Sequence, residues 1–135
     1  MEKLVNRRAS ERGSAGTKLM VTLVVIVLGA HAGYNYIPVA YNAQALRGDM
    51  DTAVLQGMAL PGKISPVDNV KERIVKAIIV NNISPGATLD VKQVGNGITA
   101  RVTYQQQVNI LPFGMYKYNY VFDYTATPTG FLLRQ

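Results

Sequence analysis

The chain has no cysteine. That excludes a disulfide framework, a thiolate metal site and a thiol nucleophile, while leaving an oxidising compartment open. Histidine is present once, as His31. The two closest carboxylates that could work as an acid/base pair, Asp49 and Asp51, sit two positions apart, so on a helix they point in different directions. There is no glycine-rich phosphate loop and no cluster with metal-ligand spacing. Catalysis is therefore not expected, and neither is a bound metal.

Charge is missing from one long stretch. No Asp, Glu, Lys or Arg lies between Lys18 and Arg47. The net charge of +6 is distributed accordingly. Residues 1–18 carry Lys3, Arg7, Arg8, Arg12 and Lys18 against Glu2 and Glu11, and the remaining cations are scattered singly. No contiguous basic stripe forms, so nucleic acid is not an expected partner. A basic cluster just before an apolar run is held on the cytoplasmic side of a membrane and attracted by anionic headgroups.

The run itself is Leu19–Ile37, LMVTLVVIVLGAHAGYNYI. At about 1.5 Å per residue, a helix over 17–37 is about 30 Å long, enough to cross the hydrocarbon core of a bilayer. It reads as a signal anchor, with a cleavable signal peptide ending at Ala30-His31-Ala32 as the alternative. Apolar and aromatic residues continue past that cleavage pattern, and Tyr34, Tyr36 and Tyr41 suit the membrane–water interface. The charge bias then puts the N-terminus in the cytoplasm and the C-terminal part outside, in the periplasm or beyond, with the anchor in a bacterial inner membrane.

Two features of the run invite a function. Gly29 and Gly33 form a G-x-x-x-G spacing on which a partner helix, of this chain or another membrane protein, can pack closely. His31 sits among small residues at membrane depth, where it could ligate the metal of a tetrapyrrole. The plainer alternative is a neutral histidine hydrogen-bonded near the headgroups.

Four segments follow from the pattern: a flexible basic tail over 1–16, the membrane helix over 17–37, an amphipathic stem and linker over 38–64, and an exported α+β domain over 65–135. In the stem, Ala43, Leu46, Met50, Val54, Leu55 and Met58 recur at helical intervals. Gly48 and Gly57 dilute the pattern, Pro38 predicts a kink, and Pro61-Gly62 predicts an end. Ser65-Pro66-Val67-Asp68 is a helix start with its own cap, and Val67, Val70, Ile74, Ala77 and Ile78 share one face as far as Asn81-Asn82. Glu72 and Lys76 are placed for an i,i+4 pair.

From Thr88 the period becomes alternating. Leu89–Val94, the turn Gly95-Asn96-Gly97, Ile98–Leu111, the turn Pro112-Phe113-Gly114 and Met115–Ala126 predict a three-stranded antiparallel meander with a helix on one face. Tyr116, Tyr118, Tyr120, Phe122 and Tyr124 fall on one side of the last strand, and their expected cover is Ile74, Ile78 and their neighbours.

This order of elements looks pilin-like. The stretch Val80-Asn81-Asn82-Ile83, followed by LDVKQVGNGITARVTYQQQVNILPFGMYKYNYVFDY, resembles the bacterial domain-of-unknown-function 4845 family. The resemblance implies a single-pass anchor and a pilin-like exported domain, and no known activity. Type IV prepilins carry a glutamate five residues after the cleavage glycine; counted from Gly16 that place is Val21, and Lys18 enters the run. Three functions stay open at this point: a non-catalytic accessory or structural subunit of a membrane complex, a filament subunit, and a small pigment- or haem-associated subunit using His31.

Overall fold

The computed structural model describes residues 9–59 and 65–128. Two helices and three strands follow one another as α1 (Ala9–Ala59), α2 (Pro66–Val80), β1 (Thr88–Val94), β2 (Gly97–Asn109) and β3 (Lys117–Ala126). The chain is α+β.

Helix α1 runs for 51 residues, with Pro38 inside it. Pro38 has no N–H to give the carbonyl four residues back, yet the helix carries on across it. Residues 9–16, expected as part of a flexible tail, form its first turns. Pro61-Gly62 lies outside the described residues. Leu55 of the expected stem pattern is 40% exposed, and the Met58 side chain lies outside the described residues. Ala43, Leu46, Met50 and Val54, together with Val39 and Ala53, are buried, a stripe at intervals of three and four. All of these but Val39 belong to the same core as α2 and the sheet. Gly57 leaves room for α2, since a Cβ there would run into Val70 Cγ2.

Helix α2 begins as its sequence dictates. The Ser65 hydroxyl accepts from the Asp68 amide at 3.3 Å, Pro66 fills the first turn, and Val70, Ile74 and Ala77 are buried. Its end is a Schellman motif. Asn82 takes φ 51°, while the Asn82 and Ile83 amides donate to the carbonyls of Ile79 and Ile78. Glu72 and Lys76 do not close their pair; Arg73 instead donates to Asn69 and to Gln56 of α1, each at 2.7 Å.

The sheet is the expected meander, in order β1-β2-β3. Its register sets Leu89 opposite Val102 and Val91 opposite Ala100, then Val102 opposite Tyr124 and Tyr104 opposite Phe122. Ile98, Ala100, Val102, Tyr104 and Val108 are therefore on the covered face, and Arg101, Gln105 and Asn109 are on the open one. β1 pairs only as far as Thr103, so the second half of β2 has β3 as its single neighbour.

The cover of the aromatic strand differs from the expectation. Helix α1, not α2, lies along β3, while α2 packs on β1 and β2. Expected as an amphipathic stem and linker, this part of α1 is through its buried stripe the central helix of the fold. Between β2 and β3 the chain turns at Pro112–Gly114, with Phe113 at φ 60° and Gly114 at φ 69°. Two successive left-handed residues give a type I′ turn, closed by the Met115 amide donating to the Pro112 carbonyl at 3.4 Å. Asparagine is the usual first residue of such a turn; a phenylalanine there costs about 1–2 kcal/mol of backbone strain.

Candidate functional site

The residues that sequence reading singles out lie along α1, and the helix sorts them into three levels. From Leu19 to Val27 every side chain is exposed. An 18-residue window of this helix is long and apolar enough to cross a membrane, and none of it is buried. Thr22 donates its hydroxyl to the Lys18 carbonyl at 2.9 Å, so the one polar side chain between Leu19 and Val27 is satisfied within the helix.

The second level is the small-residue patch. Gly29 faces open space, and a Cβ on Gly33 would touch only Ile37 of its own helix. A smooth face for a neighbouring helix is thus present at Gly29. His31 is half-buried and paired within the helix. Asn35 Nδ2 lies 3.3 Å from His31 Nε2 and 2.9 Å from the His31 carbonyl. When Asn35 donates to Nε2, the ring proton sits on Nδ1. A tetrapyrrole metal would find Nε2 engaged and would have to displace Asn35 or bind at Nδ1. Among the described residues, no three His, Cys, Asp or Glu side chains gather into a metal-ligating group.

The third level is where the helix meets the sheet. Tyr34 and Tyr41 are 81% and 73% exposed and point away from the domain. Tyr36 is 39% exposed, and its ring also packs edge-on against Tyr118 and Tyr120 at centroid distances of 6.2 and 6.1 Å. Just beside it lies an apolar cleft of about 430 Å³, lined by Ala32, Gly33, Tyr36, Ile110, Tyr116 and Tyr118. Further up, the Arg47 guanidinium lies over the rings of Phe122 and Tyr124, at 5.5 and 5.2 Å. Such cation–π contacts contribute about 1 kcal/mol or more when desolvated. Tyr124 donates its hydroxyl to both Asp51 oxygens, at 2.9 and 3.1 Å. Tyr104 stacks on Phe122 at 4.8 Å.

Two atoms in this cluster, Arg47 Nε and Tyr104 Oη, are buried without a hydrogen-bond partner. Burial pushes the Tyr104 phenol up to about 12, with Tyr120 adding to the rise and Arg47 opposing it. Burial also raises Tyr124, helped by its bond to Asp51. Both phenols therefore stay neutral at ordinary pH and serve as packing and hydrogen-bond donors. Compared with known protein families, with curated proteins and with solved structures, the chain matches none.

Sequence reading missed Tyr36 as a docking residue, and it gave Arg47 and Asp51 no part in the packing: Arg47 only closes the uncharged stretch, and Asp51 is weighed only beside Asp49. A signal existed for all three. Positions 36, 47 and 51 fall within one stripe of a 3.6-residue helix, and Arg47 is the first charge after Lys18. A groove of about 530 Å³ between α1 and α2 is a separate feature, its lining including Asp49, Gln56, Glu72, Arg73 and Lys76. There the Asn81 amide donates to Asp49 at 2.8 Å.

Proposed function

We propose that this chain is a non-catalytic, single-pass protein of a bacterial inner membrane that holds a small α+β domain at the outer surface as an accessory or structural subunit of an envelope complex. One observation carries the reading. The helix that forms the spine of the domain continues, unbroken, into an exposed run that is apolar on all sides. In water a helix of that kind has no stable home, and in lipid it needs no further cover. The five cations of residues 1–18 favour a cytoplasmic N-terminus. The resemblance to the domain-of-unknown-function 4845 family points the same way.

Because anchor and domain share one helix, a partner that grips Gly29 and Gly33 within the bilayer would fix the orientation of the sheet outside it. That is the use we assign to the continuity: a rigid spacer presenting a surface at a set height. The lack of cysteine makes the topology directly testable. Ser10→Cys and Asn96→Cys variants should label differently in intact cells: an impermeant maleimide reaches Cys at 96, and reaches Cys at 10 only after the inner membrane is opened. Labelling in the reverse pattern, or recovery of the domain free of membranes, would sink the reading. A filament subunit would instead appear in shear-released fibres, and a membrane-complex subunit in a detergent-solubilised particle.

A further inference from the structure

We infer that the β2–β3 corner is a second membrane contact, in which Phe113 and Met115 seat among the acyl chains of the outer leaflet and Lys117 meets lipid phosphate. The inference rests on the anchor reading given above and adds a surface to it. Direction comes first. Along β3, Tyr118 and Tyr120 meet Tyr36 of α1, while Tyr124 meets Asp51. Strand and helix thus ascend together, and the corner that precedes β3 lies on the anchor side. The other hairpin, around Gly95, lies at the far end, beyond the pairing of Ala100 with Ala126.

Height comes next. Tyr116 and Tyr118 line a cleft with Ala32, Gly33 and Tyr36. On a straight helix those three residues stand about 21 to 27 Å above Lys18, inside or at the edge of a hydrocarbon core about 30 Å thick. The corner is therefore brought to the leaflet by the same helix that crosses it.

Its chemistry fits that depth. Phe113 is 98% exposed, Met115 68%, and Tyr116 is also exposed. A bulky apolar ring held in a left-handed conformation, touching nothing, has no use within the fold. Lys117 folds back over the turn, since a methyl at Gly114 would lie 3.5 Å from its Cε. A lysine stem over an apolar corner, with its ammonium free to rise, matches the headgroup boundary. Aromatic rings there prefer the interface, and monotopic elements sink about 5–10 Å into it.

The absence of tryptophan allows a clean test. Single Phe113→Trp, Val24→Trp and Val94→Trp variants of the full chain are reconstituted into phosphatidylcholine–phosphatidylglycerol vesicles, with and without brominated acyl chains. The Phe113→Trp emission should shift to the blue, and bromolipid should quench it at least about threefold more than Val94→Trp on the distal hairpin. Met115→Trp repeats the reading outside the left-handed pair. If Val24→Trp is quenched while Phe113→Trp and Met115→Trp match Val94→Trp, the corner stands in water: the inference fails and the anchor survives. Blue-shifted emission without bromolipid quenching would mean that a second copy or another protein covers the corner, which also overturns it. Loss of quenching at Val24→Trp brings down the anchor, and the inference with it.

Discussion

The two halves of α1 are both apolar, and they differ in how the apolar residues are arranged. Between Leu19 and Val27 they occupy every side of the helix and all are exposed. Between Val39 and Val54 they form one buried stripe, with Gln44, Asp49 and Thr52 outside it. Apolarity all round suits lipid, whereas a stripe suits a protein core. One helix thus changes solvent along its length, and Tyr36 marks the changeover by touching the sheet.

The sharpest way to break this contrast is to shorten one leucine on each side of it. Leu46→Ala opens a hole where the side chain is wholly buried, and should cost the domain about 2–5 kcal/mol of unfolding free energy. Leu23→Ala, in the exposed run, should change it by less than about 0.5 kcal/mol. Urea titration of both variants in the same micelles, read by near-ultraviolet circular dichroism of the tyrosines, makes the comparison. Equal losses would mean that the two halves belong to one environment.

Glycines give the next contrast. Gly57→Ala drives a methyl into Val70, a stiff, buried, β-branched neighbour. Overpacking costs about 1–3 kcal/mol, set against about 1 kcal/mol of helix propensity gained. A net loss of stability is expected. Gly29→Ala meets nothing, so the domain should melt unchanged, and any effect should appear in association between helices within the membrane. A Gly57→Ala protein that melts higher than the parent would show that the helices can part there at little cost.

The fold was largely legible because its signals are local. Ser65-Pro66 starts a helix, Asn82 ends it, and the change of period at Thr88 announces strands whose facing residues follow from alternation. What stayed hidden depends on contacts distant in sequence. Nothing near Tyr118 tells which helix will cover it, and Gly57 reads as a weak point until Val70 is seen to cross it. His31 and Asn35 are four apart, so the partner of a hydrogen-bonded histidine is readable from helical spacing alone. Phe113 looked like an ordinary turn residue because neither its positive φ nor its exposure has a sequence signature.

The docked half packs beside a buried phenol, Tyr104 of β2, and this sharpens the contrast through pH. The folded state raises the Tyr104 phenol from about 10 to about 12. A group whose pKa is raised by folding contributes stability that is intact below its unfolded value and is lost as pH climbs through the folded one. The domain should therefore weaken between about pH 10 and 12. Tyr104→Phe should flatten that slope at its tyrosine-104 share. Since the hydroxyl has no partner, its removal should leave neutral-pH stability unchanged or up to about 1 kcal/mol higher. A loss of stability on Tyr104→Phe at pH 7 would mean that the hydroxyl is satisfied after all.

The smallest effect belongs to the sheet face that neither helix covers. Arg101 grips Asp123 through Nε at 2.9 Å and Nη2 at 2.6 Å, and that bond holds the Asp123 carboxyl below its ordinary value. Here the sign reverses. A carboxyl whose pKa is lowered by folding stabilises above its unfolded value, and the contribution fades as pH falls through the folded one. Exposed pairs of this kind are screened by salt and contribute little. Asp123→Asn should thus shift the acid limb of the stability curve slightly and leave the alkaline limb untouched, with the difference shrinking as salt is added. An Asp123→Asn effect as large as that of Leu46→Ala, or one indifferent to salt, would place this face under cover and make it a contact surface in its own right.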